Sequence, residues 1–507
     1  MSMWWPYRAA GKAIGLGARG GARAGGSAAT ALALRAASRG PRRGYLAPGD
    51  AARPPTGPTD YLDYRGVATW QEVRSLAGAE FGLGAFMDLR KGRRNGPIGL
   101  PAAVLNRHAV VIGPAGSGKT VGVLLPWMHA ALTIGWSVVA LDVKGDLREN
   151  FLDYRNRYGA IPGARLRKWD FTDPRHSTSW RWLTELKDEA RVDAAVTAVI
   201  GRAPEKSNVD PYFYQRDYRT LRGLLKFARA SVRGTATAGA LIRLVEDQAT
   251  LERALSQSPR APGASDLTAA TRFDPLDYAK VVSGVVTALS AMDLSDVDAV
   301  TASDKLDIEE ALDEHHCLIV GAPLRGGEVS ATLSSLLLNQ LKQRLYERFG
   351  QRRRPVLLVI DEAAQVANRV DIAQLMEVAR SAGVGVVVAL QDAAKLRDEN
   401  DRSSILSNAA AMAMLPGASP LSVDAFSRRL GHRFERTYGL TTGGPRSGWM
   451  GPAPQQNLGT ESVPVLRERE IMQNPFGNRP AVVQINAGEL GITTKPLLVD
   501  LYREGEA

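Results

Sequence analysis

A glycine-rich segment between two apolar stretches, residues 109–120, decides the fold class of this 507-residue chain. Ala109-Val-Val-Ile112 favours a buried β-strand, and Val121, Leu124 and Leu125 follow the segment with helical spacing. Between them, glycines let successive backbone N–H groups converge on phosphate oxygens at the amino end of the helix. A strand, such a loop and a helix in this order predict an α/β fold that binds a nucleotide.

The loop has the pattern Gly-x4-Gly-Lys-Thr, which assigns a role to individual side chains. Lys119 is expected to place its charge on the phosphates of ATP, and Thr120 to offer a hydroxyl ligand to Mg²⁺. The predicted phosphate-binding residues are Gly113, Pro114, Ala115, Gly116, Ser117, Gly118, Lys119 and Thr120.

A second apolar run, from Pro355 to Ile360, ends in two acids, Asp361 and Glu362. A strand that ends in two carboxylates complements a phosphate loop. Asp361 is expected to order the shell of Mg²⁺, and Glu362 to polarise the attacking water as general base. The second acid favours a hydrolytic motor over a small-molecule kinase, because a kinase needs no base that activates water. The chain is therefore predicted to be an ATPase.

Two further candidates follow the acidic pair. Residues 371–381 have helical apolar spacing and end near Arg380, and a predicted strand, Val384 to Leu390, runs into Gln391. Gln391 is expected to sense the γ-phosphate, because polar residues at the end of this strand lie beside the acidic pair. Arg380 has two interpretations: a solvated arginine favoured by the helix dipole, or a finger that reaches the nucleotide of a neighbouring subunit.

Two other polar clusters have competing interpretations. Asp142 and Lys144 follow a predicted buried strand, where they either face the nucleotide or form a plain strand-end turn. His315 and His316 precede Cys317, the single cysteine of the chain. The start of a strand is the favoured interpretation of the two histidines, because the sequence shows no third and fourth metal ligand at suitable spacing.

The charge of the chain is concentrated at its amino end. Residues 1–50 hold eight Lys or Arg and one acid, a net +7 of the total +11, so the remainder is mildly basic. Residues 1–60 are predicted to be a basic flexible tail and linker. A disordered arm, a peripheral membrane contact and an organelle transit peptide are all compatible with its composition. No apolar run reaches the roughly 20 residues that span a bilayer.

Taken in order, these motifs resemble the TraG/TraD family of type IV secretion coupling proteins, the conjugative DNA-transfer ATPases of the FtsK/HerA superfamily. The resemblance covers roughly residues 90–500 and extends beyond the two ATPase motifs. Further segments that resemble the family are Asp142-Val-Lys-Gly-Asp146, Asp210-Pro-Tyr-Phe-Tyr214, Leu221-Arg-Gly-Leu-Leu225, Ser407 to Gly417 and Ala425 to Gly431.

The resemblance implies a RecA-like P-loop ATPase domain interrupted by an all-α insertion. The predicted parts are residues 61–179 and 306–507 for the RecA-like domain, and residues 180–305 for the insertion. It also implies a ring of six subunits that acts on single- or double-stranded DNA without sequence preference, with a relaxase or relaxosome and the secretion channel as partners. In that family an arginine after the acidic pair acts in trans on the nucleotide of the adjacent subunit, and it corresponds to Arg380 here. The glutamine at the end of the next strand senses the γ-phosphate, and it corresponds to Gln391.

The sequence departs from this family in two respects: no membrane-spanning pair of helices is predicted at its start, and its helical insertion is compact. We therefore expect a cytoplasmic protein, peripheral at the inner face of the cell membrane, that meets a separate membrane partner. Two alternative functions stay open. One is a cytosolic hexameric DNA pump of the FtsK/HerA kind, and the other is an ATP-gated receptor for secreted protein cargo.

Overall fold

A computed structural model describes six stretches of the chain. The predicted tail, residues 1–60, lies outside them, so the predictions for it stay predictions. The described stretches are residues 66–89, 93–203, 211–231, 237–396, 399–441 and 455–501.

A twelve-stranded sheet runs through the molecule in the order β2-β1-β14-β12-β9-β3-β8-β7-β4-β6-β5, with β13 paired to β12. Strands β9, β3, β8, β7, β4, β6 and β5 are parallel, and the strands beyond β9 are antiparallel. A separate hairpin joins β10 and β11. The strands are β1 (Phe81–Asp88), β2 (Arg93–Leu100), β3 (Ala109–Ile112), β4 (Ser137–Asp142), β5 (Arg165–Trp169), β6 (His316–Gly321), β7 (Val356–Asp361), β8 (Val384–Leu390), β9 (Ala411–Met414), β10 (His432–Thr441), β11 (Gln455–Pro464), β12 (Pro480–Ala487), β13 (Ile492–Thr493) and β14 (Leu497–Leu501).

The parallel strands are buried on both faces, as their continuous apolar sequences require. Alternate residues of β3 show this: Val110 and Ile112 pack into one hydrophobic cluster, while Ala109 and Val111 pack into a second cluster on the other face. Every residue of β7 and β8 is buried. The central strands are therefore a rigid platform for the residues at their ends.

Helices cover both faces of the sheet. They are α1 (Trp70–Val73), α2 (Ala102–Leu105), α3 (Leu125–Thr133), α4 (Leu147–Tyr158), α5 (Glu189–Ile200), α6 (Pro211–Ser231), α7 (Ala238–Glu246), α8 (Gln248–Gln257), α9 (Ala264–Ala270), α10 (Pro275–Ser290), α11 (Ser295–Thr301), α12 (Ile308–Asp313), α13 (Gly327–Glu347), α14 (Ile372–Ser381), α15 (Glu399–Asn408), α16 (Pro420–Leu430) and α17 (Glu468–Met472). Within the described residues, no helix is long and apolar enough to cross a bilayer.

Strands β5 and β6 pair in the sheet, although a long helical stretch of chain separates them. The described regular elements of that stretch are helices, with α5 to α12 between the two strands. Helix α5 packs on α13 and α6, which joins these helices to the face of the sheet. The exact bounds of the insertion, 180–305, stay a prediction.

Several predicted elements match the structure. The strands predicted at residues 109–112 and 384–390 have those bounds. The helix predicted near residues 214–227 is longer and begins at Pro211, because Pro fits the first turn of a helix. After the phosphate loop, the chain first makes a π-helical turn, Thr120–Leu124, before α3 begins. Sequence spacing cannot distinguish such a turn from an α-helix.

Candidate active site

The predicted site residues other than Arg380 meet at one edge of the sheet because the strands that carry them are parallel. Strands β3, β4, β7 and β8 all end at this edge, which we call the phosphate edge. The loop after β3, the turn after β4, the acids after β7 and the polar residues after β8 therefore lie beside one another. Ligands of open α/β sheets bind at this edge, outside the carboxyl ends of the strands.

The phosphate loop depends on glycine at two positions. Gly116 has φ +76° and Gly118 has φ +93°, conformations that residues with a Cβ atom rarely adopt. The backbone N–H of Ser117 donates to the carbonyl of Pro114 at 3.2 Å, which closes the tight turn. The loop then leads into the helix that begins at Thr120. This is the anion-binding geometry that the sequence predicts.

Lys119 lies inside this loop. Its side chain is buried, and its Nζ donates to the backbone carbonyls of Gly113 and Pro114. Burial lowers the pKa of Lys119, while the nearby acids Asp361 and Glu362 act in the opposite direction. The structure thus places the predicted lysine and the predicted acidic pair within electrostatic reach of one another.

Lys144 and Asp142, which the sequence left open, have different roles. The Nζ of Lys144 donates to the Oγ1 of Thr120 at 3.3 Å, so the side chain of Lys144 lies beside the phosphate loop. Asp142 accepts hydrogen bonds from the backbone N–H groups of Gly145 at 2.7 Å and Leu147 at 2.9 Å. These bonds form the strand-end turn and the start of α4. Burial raises the pKa of Asp142 to about 6.

The acidic pair stands at the end of β7, in the interior of the site. Asp361 and Glu362 are both buried, and burial raises the pKa of each carboxyl. Glu362 has φ +63°, an uncommon conformation for a residue with a side chain. Its Oε1 atom is buried and has no hydrogen-bond partner among the described residues. Because a buried carboxylate oxygen without a partner is costly, this atom points to a ligand such as water or a metal-bound group.

Gln391 follows β8 at the same edge, as predicted. Its Oε1 accepts a hydrogen bond from the Nζ of Lys395 at 2.6 Å. Lys395 also acts electrostatically on Glu362 and Lys119. The sequence analysis missed Lys395, because a lysine four residues after a strand has no distinctive spacing. Its position becomes evident only when β8 is placed next to β7.

Arg479 is a second residue that the sequence analysis missed. Strand β12 is antiparallel to β9, so its first residues lie at the phosphate edge. A Cβ atom added to Gly118 would lie 3.2 Å from the Cδ of Arg479, which places this side chain against the phosphate loop. The backbone N–H of Arg479 donates to the Oδ1 of Asp500 at 2.9 Å, and this bond fixes the backbone just before β12. The contact of Arg479 with the phosphate loop depends on the position of β12, a strand that is far from the loop in the sequence.

Arg380 lies at the opposite edge of the sheet. It ends α14 just before β8, whereas Gln391 follows β8. A strand of seven residues spans about 20 Å. Arg380 is therefore far from Lys119 of its own chain. The structure brings together the other predicted site residues and separates this one from them.

A cleft of about 870 Å³ opens beside Arg380 at this opposite edge. Basic and acidic side chains both line this cleft. The basic residues are Arg107, Arg380, Arg402, Arg428 and Arg429, and the acidic residues are Glu399, Asp424 and Glu489.

The histidine pair behaves as the favoured interpretation predicts. His316 is the first residue of β6, and its side chain is buried. The carboxylates of Glu310 and Glu314 lie near its ring. They are also engaged by arginines, since Glu310 accepts from Arg167 at 2.8 Å and Arg165 lies within 3.7 Å of Glu310. The position of His316 at the start of a strand is the one that the favoured interpretation predicts.

The chain is similar to a known protein family and to a known protein sequence. A family model described as "Type IV secretory system Conjugative DNA transfer" matches residues 82–473. Protein VirD4 of Rhizobium radiobacter is 33% identical over 92 residues, which are 17% of this chain and 13% of that protein. The chain thus aligns with 13% of the length of this relative.

Solved structures share the fold. The unbound monoclinic form of the bacterial conjugative coupling protein TrwBdeltaN70 superposes with a TM-score of 0.61 at 17% identity, over 86% of this chain and 92% of that one. The plasmid coupling protein TrwB in complex with ADP and Mg²⁺ gives a TM-score of 0.59 at 17% identity, over 81% and 88% of the two chains. These matches confirm the predicted RecA-like α/β fold with its helical insertion.

Proposed function

Because this chain belongs to the type IV secretory system conjugative DNA transfer family, we propose that it is the ATP-hydrolysing coupling protein of a conjugative secretion system. It links a DNA–protein substrate to the transfer channel and uses MgATP as its energy source. The observation that carries this proposal is the meeting of Lys119, Asp361 and Glu362 at the phosphate edge.

The donor set at this edge fits MgATP. Convergent N–H groups, Lys119 and Lys144 suit the phosphates, and the Thr120 hydroxyl with the Asp361 carboxylate suits Mg²⁺, which prefers oxygen ligands. TrwB was solved in complex with ADP and Mg²⁺ and with an ATP analogue, and its fold is that of this chain. When bound, MgATP supplies the phosphoanhydride bond and the divalent charge that stabilises its cleavage.

Glu362 acts as the general base in this proposal. Burial raises the pKa of its carboxyl, while Lys395 and Lys119 oppose the shift and favour the ionised form. An ionised carboxylate of raised pKa is a stronger base than a solvent-exposed one. Its Oε1, which lacks a partner among the described residues, can accept the proton of a water that Gln391 helps to orient.

Arg380 acts on the nucleotide of the adjacent subunit. The length of β8 supports this proposal, because it keeps Arg380 away from the phosphate loop of its own chain. An arginine that approaches the γ-phosphate from outside stabilises the charge of the transition state. A ring of six subunits, which the family resemblance implies, gives every phosphate loop such a neighbour.

The proposed partners are DNA, a relaxase or relaxosome, and components of the secretion channel. The proposed place of action is the inner face of the cell membrane, where a separate membrane partner holds the protein. DNA contacts are expected to involve the backbone phosphates, so binding is independent of sequence and weakens as salt rises.

The test is ATP hydrolysis by the purified chain, with and without single- and double-stranded DNA, over a range of protein and salt concentrations. We expect strong stimulation by DNA and a specific activity that rises steeply with protein concentration, because each site needs two subunits. Added salt should reduce the stimulation.

Other outcomes would contradict the proposal in different ways. Hydrolysis that is indifferent to DNA would favour the ATP-gated receptor for protein cargo. DNA-stimulated hydrolysis without binding to a relaxase or channel component would favour a cytosolic FtsK/HerA-like pump. A specific activity that is independent of protein concentration would contradict the shared site.

A further inference from the structure

We infer that Glu489 is a positioning residue for the hydrolytic reaction, which holds Arg380 in the orientation that the neighbouring subunit requires. This inference rests on the proposed function, since it concerns how the chain presents Arg380 to a phosphate. It adds a residue that no sequence motif contains.

Glu489 is shared by two arginines. Its Oε2 accepts from the Nη1 of Arg107 and from the Nη2 of Arg380. The Arg107 hydrogen bond, followed by the charges of Arg107 and Arg380, lowers the pKa of Glu489, so the carboxylate is ionised at neutral pH. The group of three carries a net positive charge, and it lines the cleft at the edge opposite the phosphate loop.

The three side chains differ in exposed fraction, and we assign their roles from this difference. The side chain of Arg107 is 22% exposed, that of Arg380 is 49% exposed, and that of Glu489 is 63% exposed. Arg107 is therefore the most enclosed member and serves as the anchor. Arg380 and Glu489 face the solvent, where an adjacent subunit can approach.

The backbone around Glu489 is fixed to the segment of Arg107. The N–H of Ala410 donates to the carbonyl of Arg107 at 2.9 Å, and the N–H of Asn486 donates to the carbonyl of Ala410 at 2.7 Å. Glu489 follows on a 3₁₀ turn, which begins at Gly488 and leads into β13. Because β13 pairs back on β12, the turn is closed at both ends. Glu489 thus stands on a braced turn rather than on a free loop.

A carboxylate on a fixed turn can hold a long arginine side chain in the single orientation that a finger requires. An arginine side chain has several rotatable bonds, and ordering it during the reaction costs entropy. A carboxylate that already holds the planar guanidinium in one orientation removes much of this cost, and it leaves further N–H donors of the guanidinium free to bind phosphate oxygens. The contribution of Glu489 should therefore appear in catalysis and disappear when Arg380 is absent.

The test is a double-mutant cycle on the full-length chain, with kcat and KM for ATP hydrolysis measured at saturating DNA and protein concentration. Glu489→Ala should lower kcat by about 10-fold with KM nearly unchanged, since the phosphate loop is at the other edge. Glu489→Asp should restore part of the loss. In an Arg380→Ala background, Glu489→Ala should cause no further loss.

Glu399→Ala is the matched control. Glu399 is an acid of the same cleft, its side chain is 89% exposed, and it pairs with Arg402 rather than with Arg380. This variant should keep the kcat of the wild type. Glu489→Gln, which preserves the size of the side chain, and the thermal unfolding midpoint of each variant separate a local effect from loss of the fold.

The outcomes distinguish this inference from the proposed function. If Arg380→Ala leaves hydrolysis unchanged, the proposal of a finger in trans is wrong. If Arg380→Ala lowers kcat while Glu489→Ala and Glu489→Gln do not, the inference about Glu489 is overturned and the proposed function stands. An equal loss from Glu489→Ala with and without Arg380 would also overturn the inference, because Glu489 would then act through another group.

Discussion

At the scale of single residues, the site combines groups that are costly to bury with groups that offset this cost. Glu362, Asp361 and Lys119 are all buried. Burial favours the neutral form of each group, so it raises the pKa of the two acids and lowers the pKa of the lysine. The attraction between Lys119 and the two acids opposes this shift and favours the charged forms. The Oε1 of Glu362 has no hydrogen-bond partner among the described residues. This atom supports the proposal that Glu362 is the general base.

Replacement of Glu362 by Gln should abolish hydrolysis while ATP binding persists. Gln has nearly the same shape, so the phosphate site is preserved, but it cannot accept the proton of water. General-base catalysis contributes about 10²- to 10⁴-fold, and we expect a loss of that size in kcat. Single-turnover hydrolysis and binding of a fluorescent ATP analogue measure the two effects separately. Normal hydrolysis by this variant would show that Glu362 is not the base.

These residues also show how far sequence reasoning reaches. The phosphate loop and the acidic pair were predictable, because each motif is continuous in the chain and its chemistry fixes the spacing. Lys395, Arg479 and Glu489 were not, because each reaches its partners only through the order of strands in the sheet.

At the scale of elements, a histidine ties the central strands together. His108 precedes β3 with φ +69°, and its Nδ1 accepts a hydrogen bond from the backbone N–H of Val386 in β8 at 3.0 Å. Burial lowers the pKa of His108 to about 4. The hydrogen bond from β8 to the His108 ring therefore requires the neutral ring. No periodicity of the sequence predicts this bond. The apolar strands themselves were predicted well, since their burial on both faces leaves a continuous hydrophobic signal.

His108 should make the stability of the protein depend on pH. Below its ordinary pKa of about 6.5, the unfolded chain binds a proton that the folded chain does not bind. Stability is therefore lost as the pH falls from 6.5 towards 4, by about 2 kcal/mol between pH 7 and pH 5.

The variant His108→Asn isolates this effect, because Asn tolerates positive φ, offers an acceptor and does not titrate. The free energy of unfolding in urea, measured for both proteins at pH 7 and pH 5, should fall more steeply in the wild type. Equal falls in the two proteins would show that His108 does not carry the dependence.

At the scale of the whole molecule, the two edges of the sheet hold the two groups of residues that the proposed reaction needs. Lys119 and Glu362 stand at the carboxyl ends of the strands, and Arg380 with Glu489 at the amino ends. With Arg380 acting in trans, as proposed, a complete site needs two copies of the chain. The sequence predicted residues at both edges of the sheet. It did not predict how far apart they lie, because that distance is set by the length of β8 in the folded chain.

Subunit mixing tests this division. Lys119→Ala and Arg380→Ala should each be nearly inactive alone, since the first loses its phosphate contact and the second its finger. Mixed in equal amounts, they should recover about a quarter of the wild-type activity, because one in four random interfaces pairs an intact loop with an intact arginine. A mixture that stays inactive, although size-exclusion chromatography shows mixed rings, would place both groups in the same subunit.

In the proposed ring, the position of Arg380 gives the assembly a direction. A subunit lends its arginine to one neighbour and receives an arginine from the other, so the interface is heterologous and every contact points the same way round. A change at one nucleotide can then be reported through Arg380 to one adjacent subunit and not to the opposite one. An open ring would have one site without a donor at its end. Closure is thus the condition under which all sites of the motor are equivalent.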